Sequence, residues 1–206
     1  MTTTQTQESQ ASLTPEKALQ MLIEGNDRFL ENSMANRDLQ GQVKETSGGQ
    51  FPFAAVLSCI DSRVPAEVVF DQGIGDIFSA RVAGNVVNTD ILGSIEYACK
   101  VAGSKLIVVM GHTKCGAVTS ACKDVELGNI TSLLAKIKPA KEAVTNSIGA
   151  DGDDFVEKVS EQNVLESIEN IRKNSSILAD MEANGEIKIV GAIYAVETGK
   201  VSYLDN

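Results

Sequence analysis

The chain of 206 residues has no tryptophan, only one histidine and only 4% aromatic residues. No apolar run approaches the roughly 18 residues that a membrane-spanning helix needs. The first eleven residues, MTTTQTQESQA, lack both the basic start and the apolar stretch of a secretory signal. We therefore expect a soluble, cytoplasmic protein that has no membrane partner.

Positive charge is also scarce. The formal net charge is −10, and the sequence contains no basic cluster of five or more residues. This balance argues against nucleic acid or an anionic membrane surface as a partner. The four cysteines form no close-spaced framework in a chain of ordinary domain size, so we expect reduced thiols rather than disulfides.

Short apolar runs alternate with helical patterns along the chain. Strands are predicted over 53–59, 76–80, 105–111, 186–194 and 200–203, and helices over 14–30, 65–71, 89–102, from 116 and over 163–173. Thr14 followed by Pro15 is a good helix start. The alternation predicts an α/β fold with a largely parallel sheet. We expect a disordered tail over 1–13 and a single domain over 14–206.

Two short motifs follow two of the predicted strands. Cys59 ends the strand FAAVLSC, and the segment HTKC places His112 and Cys115 directly after the strand KLIVVMG. The carboxyl ends of strands in an open α/β sheet meet at one edge. Two sulfurs and one imidazole are the ligands of a zinc ion that keeps one coordination position open, where water can be ionised. We also expect Gly111 and Gly116 to let the backbone bend around this turn.

The fourth zinc position is not filled by another cysteine. Cys99 and Cys122 each lie in a predicted helix among apolar neighbours, so we assign them to the core. Asp61 is the more interesting candidate, because in an extended segment it points to the same side as Cys59 and Arg63.

The Asp61–Arg63 pair has three interpretations. It could be a structural salt bridge, or a pair in which Arg63 keeps Asp61 ionised so that the carboxylate accepts the proton of the zinc-bound hydroxide. Asp61 could also bind zinc directly when Arg63 releases it, which would close the site.

Other catalytic patterns have little support. The sequence has neither a GxGxxG segment opening a helix nor GxxxxGK, which argues against a nucleotide site. A serine triad needs a free histidine base, and the single histidine is already assigned to the metal.

The segments CIDSRVPAE and GHTKCGAV resemble the β-class carbonic anhydrases, whose signatures are CxDxR and HxxC. The resemblance extends to GNDRF, GIGDIFSARVAGN, IEYA and YAVETGKV, and so to most of the chain from about residue 14. It implies one Zn²⁺ per chain on Cys59, His112 and Cys115. It also implies reversible hydration of CO2 to bicarbonate and a proton by zinc-bound hydroxide that Asp61 and Arg63 orient.

The resemblance further implies a sheet of four parallel strands with an antiparallel extension, flanked by helices. An amino-terminal helical arm is expected to pack against a second subunit, in a homodimer or an assembly of dimers. The predicted partners are therefore CO2 or bicarbonate and the chain itself.

One of the two site types in this family lines its CO2 cleft with a glutamine, an aromatic residue and a tyrosine. Gln50, Phe78 and Tyr97 stand at the matching positions and are the predicted substrate-binding residues. Val56 stands where the other type has a tryptophan of a regulatory bicarbonate site, so we expect no such site. Ala83 is assigned to the cleft as well.

The segment Ala83-Gly84 departs from many relatives, which have Val-Ala there. The resemblance therefore does not determine the width of the pocket. Two alternatives to CO2 hydration remain: hydrolysis of another heterocumulene such as carbon disulfide on the same scaffold, and a non-catalytic zinc-binding sensor. Because the only histidine is assigned to zinc, the released proton is expected to pass to external buffer or to an acidic surface side chain.

Overall fold

The computed structural model describes residues 4–150 and 152–205. Their strands form one five-stranded sheet in the order β2-β1-β3-β4-β5. The strands are β1 (Ala54–Ser58), β2 (Ile77–Arg81), β3 (Leu106–His112), β4 (Lys188–Tyr194) and β5 (Val201–Tyr203). Strands β1 to β4 are parallel, and β5 pairs with β4 in the antiparallel direction. The predicted fold class, four parallel strands with an antiparallel extension, is confirmed.

Helices cover both faces of the sheet and precede it at the amino terminus. They are α1 (Gln7–Ala11), α2 (Pro15–Leu30), α3 (Leu39–Thr46), α4 (Ala66–Val69), α5 (Thr89–Glu96), α6 (Gly116–Cys122), α7 (Gly128–Leu134), α8 (Lys138–Ile148), α9 (Phe155–Asn174) and α10 (Ser176–Ala183). A π-helical turn, Tyr97–Val101, continues α5. Among the described residues, every helix is too short or too polar to cross a membrane.

The central strands are buried on both faces, as a parallel sheet between helices requires. All five residues of β1 and all seven of β3 are buried. Side chains from alternate positions enter different cores: Val56 and Val108 pack with Leu22 of α2, whereas Leu57 and Val109 pack with residues of α9 and α10. The uninterrupted apolar runs seen in the sequence therefore fill two cores at once.

The register of the sheet brings the two predicted ligand segments to one edge. Ser58 pairs with Met110, and His112 pairs with Tyr194 at the end of β4. Cys59 follows Ser58 directly, so it leaves the sheet beside the last residues of β3. The distant motifs become neighbours because adjacent parallel strands end together.

The helices α6 to α9 form a third core around this edge. Their buried apolar residues pack with Cys59 and Cys115. Helices α7, α8 and α10 are among those that the sequence did not predict, and α9 begins at Phe155 rather than at residue 163. Helices α7, α8 and α9 start without a side-chain capping hydrogen bond.

The prediction of a disordered tail over 1–13 is wrong for residues 7–11, which form α1 with a capping box between Thr6 and Ser9. Gln10 is buried, and its Nε2 donates to the carbonyls of Pro52 (2.7 Å) and Ala102 (2.8 Å). The side-chain amide of Gln10 thus provides hydrogen bonds for two backbone carbonyls of the main body. These bonds anchor a segment whose polar composition predicts a disordered tail. Residues 1–3 lie outside the described part, and the single domain over 14–206 stays a prediction.

Candidate metal centre

The three predicted ligands meet in space. The sulfurs of Cys59 and Cys115 and a ring nitrogen of His112 all lie within 4.8 Å of one another, and all three residues are buried. All four cysteines are free thiols. Cys99 is buried in the core against α9 and α10, and Cys122, the last residue of α6, is partly buried against the third core; neither belongs to the ligand cluster.

The histidine ring is prepared for a metal on one side only. Its Nδ1 lies 2.9 Å from the carbonyl oxygen of Thr113, which can only accept, so Nδ1 carries the proton. His112 is fully buried, and its Nε2 has no hydrogen-bond partner among the described residues. A buried, unpartnered nitrogen is costly unless something binds it. With two sulfurs beside it, the site fits a zinc-like cation.

The two sulfurs form a pair that readily loses one of its two protons and retains the other. The Cys115 thiol, together with His112 and the Gly84 amide, lowers the pKa of Cys59 to about 4 against the opposing effect of burial. Pairing with Cys59 and burial raise the pKa of Cys115. A divalent cation would replace the remaining proton, because the thiolate is the form that binds metal.

The turn between His112 and Cys115 is held from three sides. The Thr113 amide donates to the carbonyl of Tyr194 (3.0 Å), and the Thr113 hydroxyl donates to Glu197 (2.8 Å). The Lys114 amide donates to Glu157 (3.1 Å). The Lys114 ammonium and the Thr113 hydroxyl lower the pKa of Glu197 to about 2, so this carboxylate stays ionised. The turn is therefore tied to α9 and to the β4–β5 hairpin.

The expected role of the two glycines is wrong. The residue with left-handed backbone in this turn is Lys114, at φ 53°. Gly111 lies inside β3, where an added Cβ would come within 2.8 Å of Val164 Cγ2, so its function is close packing against α9. Gly116 begins α6 and has a negative φ.

Asp61 and Arg63 form the pair that the sequence predicts. The Arg63 side chain donates from Nε to Oδ1 (2.9 Å) and from Nη2 to Oδ2 (2.7 Å). These bonds hold the pKa of Asp61 well below its usual range, so the carboxylate is ionised at neutral pH. Arg63 also donates to the carbonyl of Lys114 (3.2 Å), which ties the pair to the ligand turn.

The carboxylate faces the metal centre without joining it. Oδ2 of Asp61 lies 3.9 Å from Nε2 of His112. Asp61 is outside the cluster of three ligand residues found in the described part of the chain. In this arrangement both carboxylate oxygens of Asp61 accept hydrogen bonds from Arg63.

Sequence reasoning missed two residues that hold the Cys59 segment. Arg81 at the end of β2 donates from Nε to the carbonyl of Cys59 (3.0 Å) and from Nη2 to the carbonyl of Asp61 (2.6 Å). The Gly84 amide donates to the Cys59 sulfur (3.4 Å). The available signal was strand adjacency: Arg81 pairs with Ser58, so it lies next to the residue that follows.

The four predicted substrate-binding residues do not come together in one place, unlike the three predicted metal ligands. Phe78 and Tyr97 contact each other edge to face, with ring centroids 6.3 Å apart. They line a groove of about 790 Å³ between β2 and α5, here called the β2 groove, which none of the three ligand residues lines. Gln50 is exposed and precedes β1, whereas Cys59 follows it. Ala83 lies in the short turn Ala83–Asn85, next to the amide that reaches the Cys59 sulfur.

Fold and site together define a class. Residues from two adjacent parallel strands place two thiols and one imidazole at the carboxyl edge of an α/β sheet, with an ionised carboxylate beside them. This is a donor set for a metal-dependent enzyme that keeps a coordination position free.

Comparison with known proteins identifies the family. Residues 54–201 match the family model described as carbonic anhydrase. The carbonic anhydrase of Mycolicibacterium smegmatis is 38% identical over 192 residues, covering 91% of this chain and 92% of the relative. Carbonic anhydrase 2 of Mycobacterium tuberculosis is 35% identical over 196 residues, covering 93% and 94%.

A solved structure shares the fold. A chain from the crystal structures of two tetrameric β-carbonic anhydrases of Sordaria macrospora has a TM-score of 0.72 and 25% identity, covering 81% of this chain and 91% of that one. The present chain belongs to the β-class carbonic anhydrase family.

Proposed function

We propose that the chain catalyses the reversible hydration of CO2 to bicarbonate and a proton with one zinc ion. The observation that carries this proposal is the convergence of Cys59, His112 and Cys115 within 4.8 Å, with the Nε2 of His112 buried and unpartnered. Membership in the carbonic anhydrase family supports the reaction.

Zinc would be held by the two thiolates and by Nε2 of His112. When bound, it would supply a Lewis acid that ionises a water ligand near neutral pH. The protein prepares the ligands: Thr113 orients the imidazole through its carbonyl, and the Gly84 amide orients the sulfur of Cys59. Fixed ligands of this kind lose little freedom when the cation binds.

Asp61 would act as a hydrogen-bond acceptor for the attacking water. An ionised carboxylate can only accept, so it selects the orientation in which the O–H points to Asp61 and an oxygen lone pair points to CO2. Arg63 keeps Asp61 in this state, because its two bonds stabilise the charged form and leave no proton to donate. Lys114 in turn holds Arg63 through its carbonyl.

The substrate cleft is proposed to include Gln50, Phe78, Ala83 and Tyr97. Only Ala83 is next to the metal centre in this chain, and Tyr97 is 54% exposed in the β2 groove. A second copy of the chain would allow residues of one β2 groove to contact the metal centre of the other. The tetrameric state named for the Sordaria macrospora enzymes supports self-association.

The direct test is stopped-flow CO2 hydration, with zinc content measured on the same samples. Asp61→Asn keeps the size of the side chain and removes its charge. We expect full zinc content and a kcat/KM lowered by about 10²- to 10⁴-fold, the range for a positioned proton acceptor. The matched control is Asp124→Asn, which breaks the exposed ion pair with Lys141 and should leave the rate unchanged.

Two results would contradict the proposal. A wild-type protein with zinc and a negligible hydration rate would indicate a sensor or a different heterocumulene substrate, which hydrolysis of carbon disulfide would then distinguish. Equal rates for Asp61→Asn and Asp124→Asn would remove Asp61 from the mechanism. The cytoplasmic location and the lack of nucleic-acid partners stay predictions.

A further inference from the structure

Helix α9 directs two buried polar side chains at the turn Ala83–Asn85. Asn163 is 1% exposed, and its Nδ2 donates to the carbonyl of Gly84 (2.8 Å). Ser167 lies one helical turn later, is 3% exposed, and donates to the carbonyl of Asn85 (3.2 Å). The two side chains share one face of the helix, because residues four positions apart lie above each other. They anchor two consecutive carbonyls of the turn.

Only one of these carbonyls belongs to the residue that contacts a metal ligand. The amide of Gly84 donates to the sulfur of Cys59 (3.4 Å), and Gly84 has a left-handed backbone at φ 67°. An added Cβ would come within 2.8 Å of Ile137 Cδ1. The orientation of the amide therefore depends on the backbone conformation of Gly84. Glycine adopts this conformation easily but also adopts others, so a further contact is needed to hold it.

Anchoring the Gly84 carbonyl supplies that restraint. With its carbonyl bonded to Asn163, Gly84 cannot rotate its backbone freely, and its amide stays directed at the sulfur. Hydrogen bonds to a ligand atom fix its position and reduce the charge that it donates to the metal. The chain of contacts runs from Asn163 through Gly84 to Cys59, and every member is buried.

We propose that Asn163 is a positioning residue of the metal centre, which acts by holding the Gly84 amide against the Cys59 sulfur. This rests on the zinc site of the proposed function. The competing explanation is that Asn163 only satisfies a buried carbonyl and so contributes to folding alone. Ser167 provides the comparison, since it makes the same kind of bond from the same helix to the next carbonyl.

The experiment compares Asn163→Ala with Ser167→Ala after metal removal and refilling. Zn²⁺ affinity is measured by competition with a chelator, and the sulfur-to-metal charge-transfer band is recorded with Co²⁺. For Asn163→Ala we expect zinc affinity to fall by about 10-fold, the lower end for outer partners of a metal ligand. We expect its band to move to longer wavelength, because the thiolate loses a stabilising hydrogen bond. Ser167→Ala should lose thermal stability and match wild type in both metal measurements.

If either the zinc affinity or the cobalt band of Asn163→Ala matches that of Ser167→Ala, Asn163 serves folding alone and the inference is wrong. Should Asn163→Ala not fold, Asn163→Ser carries the same test, since its hydroxyl is one bond shorter than the amide and does not span the same distance. A wild-type protein that binds no zinc would defeat the proposed function itself. If only the role of Asn163 is wrong, the wild-type protein still binds zinc. The two negative results can therefore be told apart.

Discussion

In the metal centre the three ligand side chains are buried, and their orientation is set by backbone and side-chain hydrogen bonds. In the β2 groove, by contrast, Tyr97 is more than half exposed, and its ring contacts Phe78 edge to face. One chain therefore assembles a site that could hold a metal ion. The same chain leaves two of the predicted substrate residues, Phe78 and Tyr97, along an open sheet edge.

The difference follows from where each group lies on the sheet. The ligands lie at or just beyond the carboxyl ends of β1 and β3, two central strands whose ends are covered by α6 to α9. Phe78 lies on β2, an edge strand with one neighbour, at the position that pairs with Ala55 near the start of β1. Central strands are enclosed by their own chain, whereas an edge strand can be covered only by a helix, a loop or another molecule.

The largest expected effect concerns the metal centre. Cys115→Ser should lose stoichiometric zinc and all hydration activity, because an alcohol is a far weaker zinc ligand than a thiolate and the other two ligands cannot retain the ion. Metal analysis and stopped-flow measurement check this. Cys122→Ser is the control and should keep both properties, since Cys122 lies outside the cluster. An unchanged zinc content in Cys115→Ser would show that Cys115 is not a metal ligand.

A smaller effect is expected in the β2 groove. Phe78→Ala or Tyr97→Ala should keep zinc and lower kcat/KM by about 10-fold, an energy of roughly 1.4 kcal/mol, if a second subunit places these rings at the metal centre. Val101→Ala is the control, because Val101 lies at the end of the same π-helical turn and is 69% exposed.

Molecular mass in solution should be recorded for each groove variant. A monomeric wild type with full activity, or groove variants with unchanged kcat/KM, would show that the groove takes no part in the reaction. In that outcome the cleft would have to be sought around Ala83, beside the metal centre.

The smallest effect concerns the proton that the reaction releases. His112 is the only histidine, and its Nδ1 is bonded to Thr113, so neither region offers an imidazole that could carry a proton away. Turnover at saturating CO2 should rise severalfold with the concentration of an imidazole-type buffer and then level off. A turnover independent of buffer would mean that a side chain of the protein accepts the proton.

Much of the fold was predictable because its signals are local. The apolar runs of β1 and β3 predict buried strands, and Thr14-Pro15 predicts the start of a helix. The structure has these strands and this helix start. Helices α7, α8 and α10 were missed. The buried position of Gln10 in α1 was missed as well, because its two partners lie 42 and 92 residues away.

The sequence by itself determined which atoms can hold a metal and which carboxylate stands beside them. Two compact motifs contain all four residues, and each motif begins where a buried strand ends. Only the tertiary structure decided how those atoms are held. The contacts of Arg81, Gly84 and Asn163 join residues 20 to 79 positions apart, through backbone groups that carry no residue identity. Such groups leave no pattern in a single sequence, because any residue has an amide and a carbonyl; packing alone selects which of them reach the site.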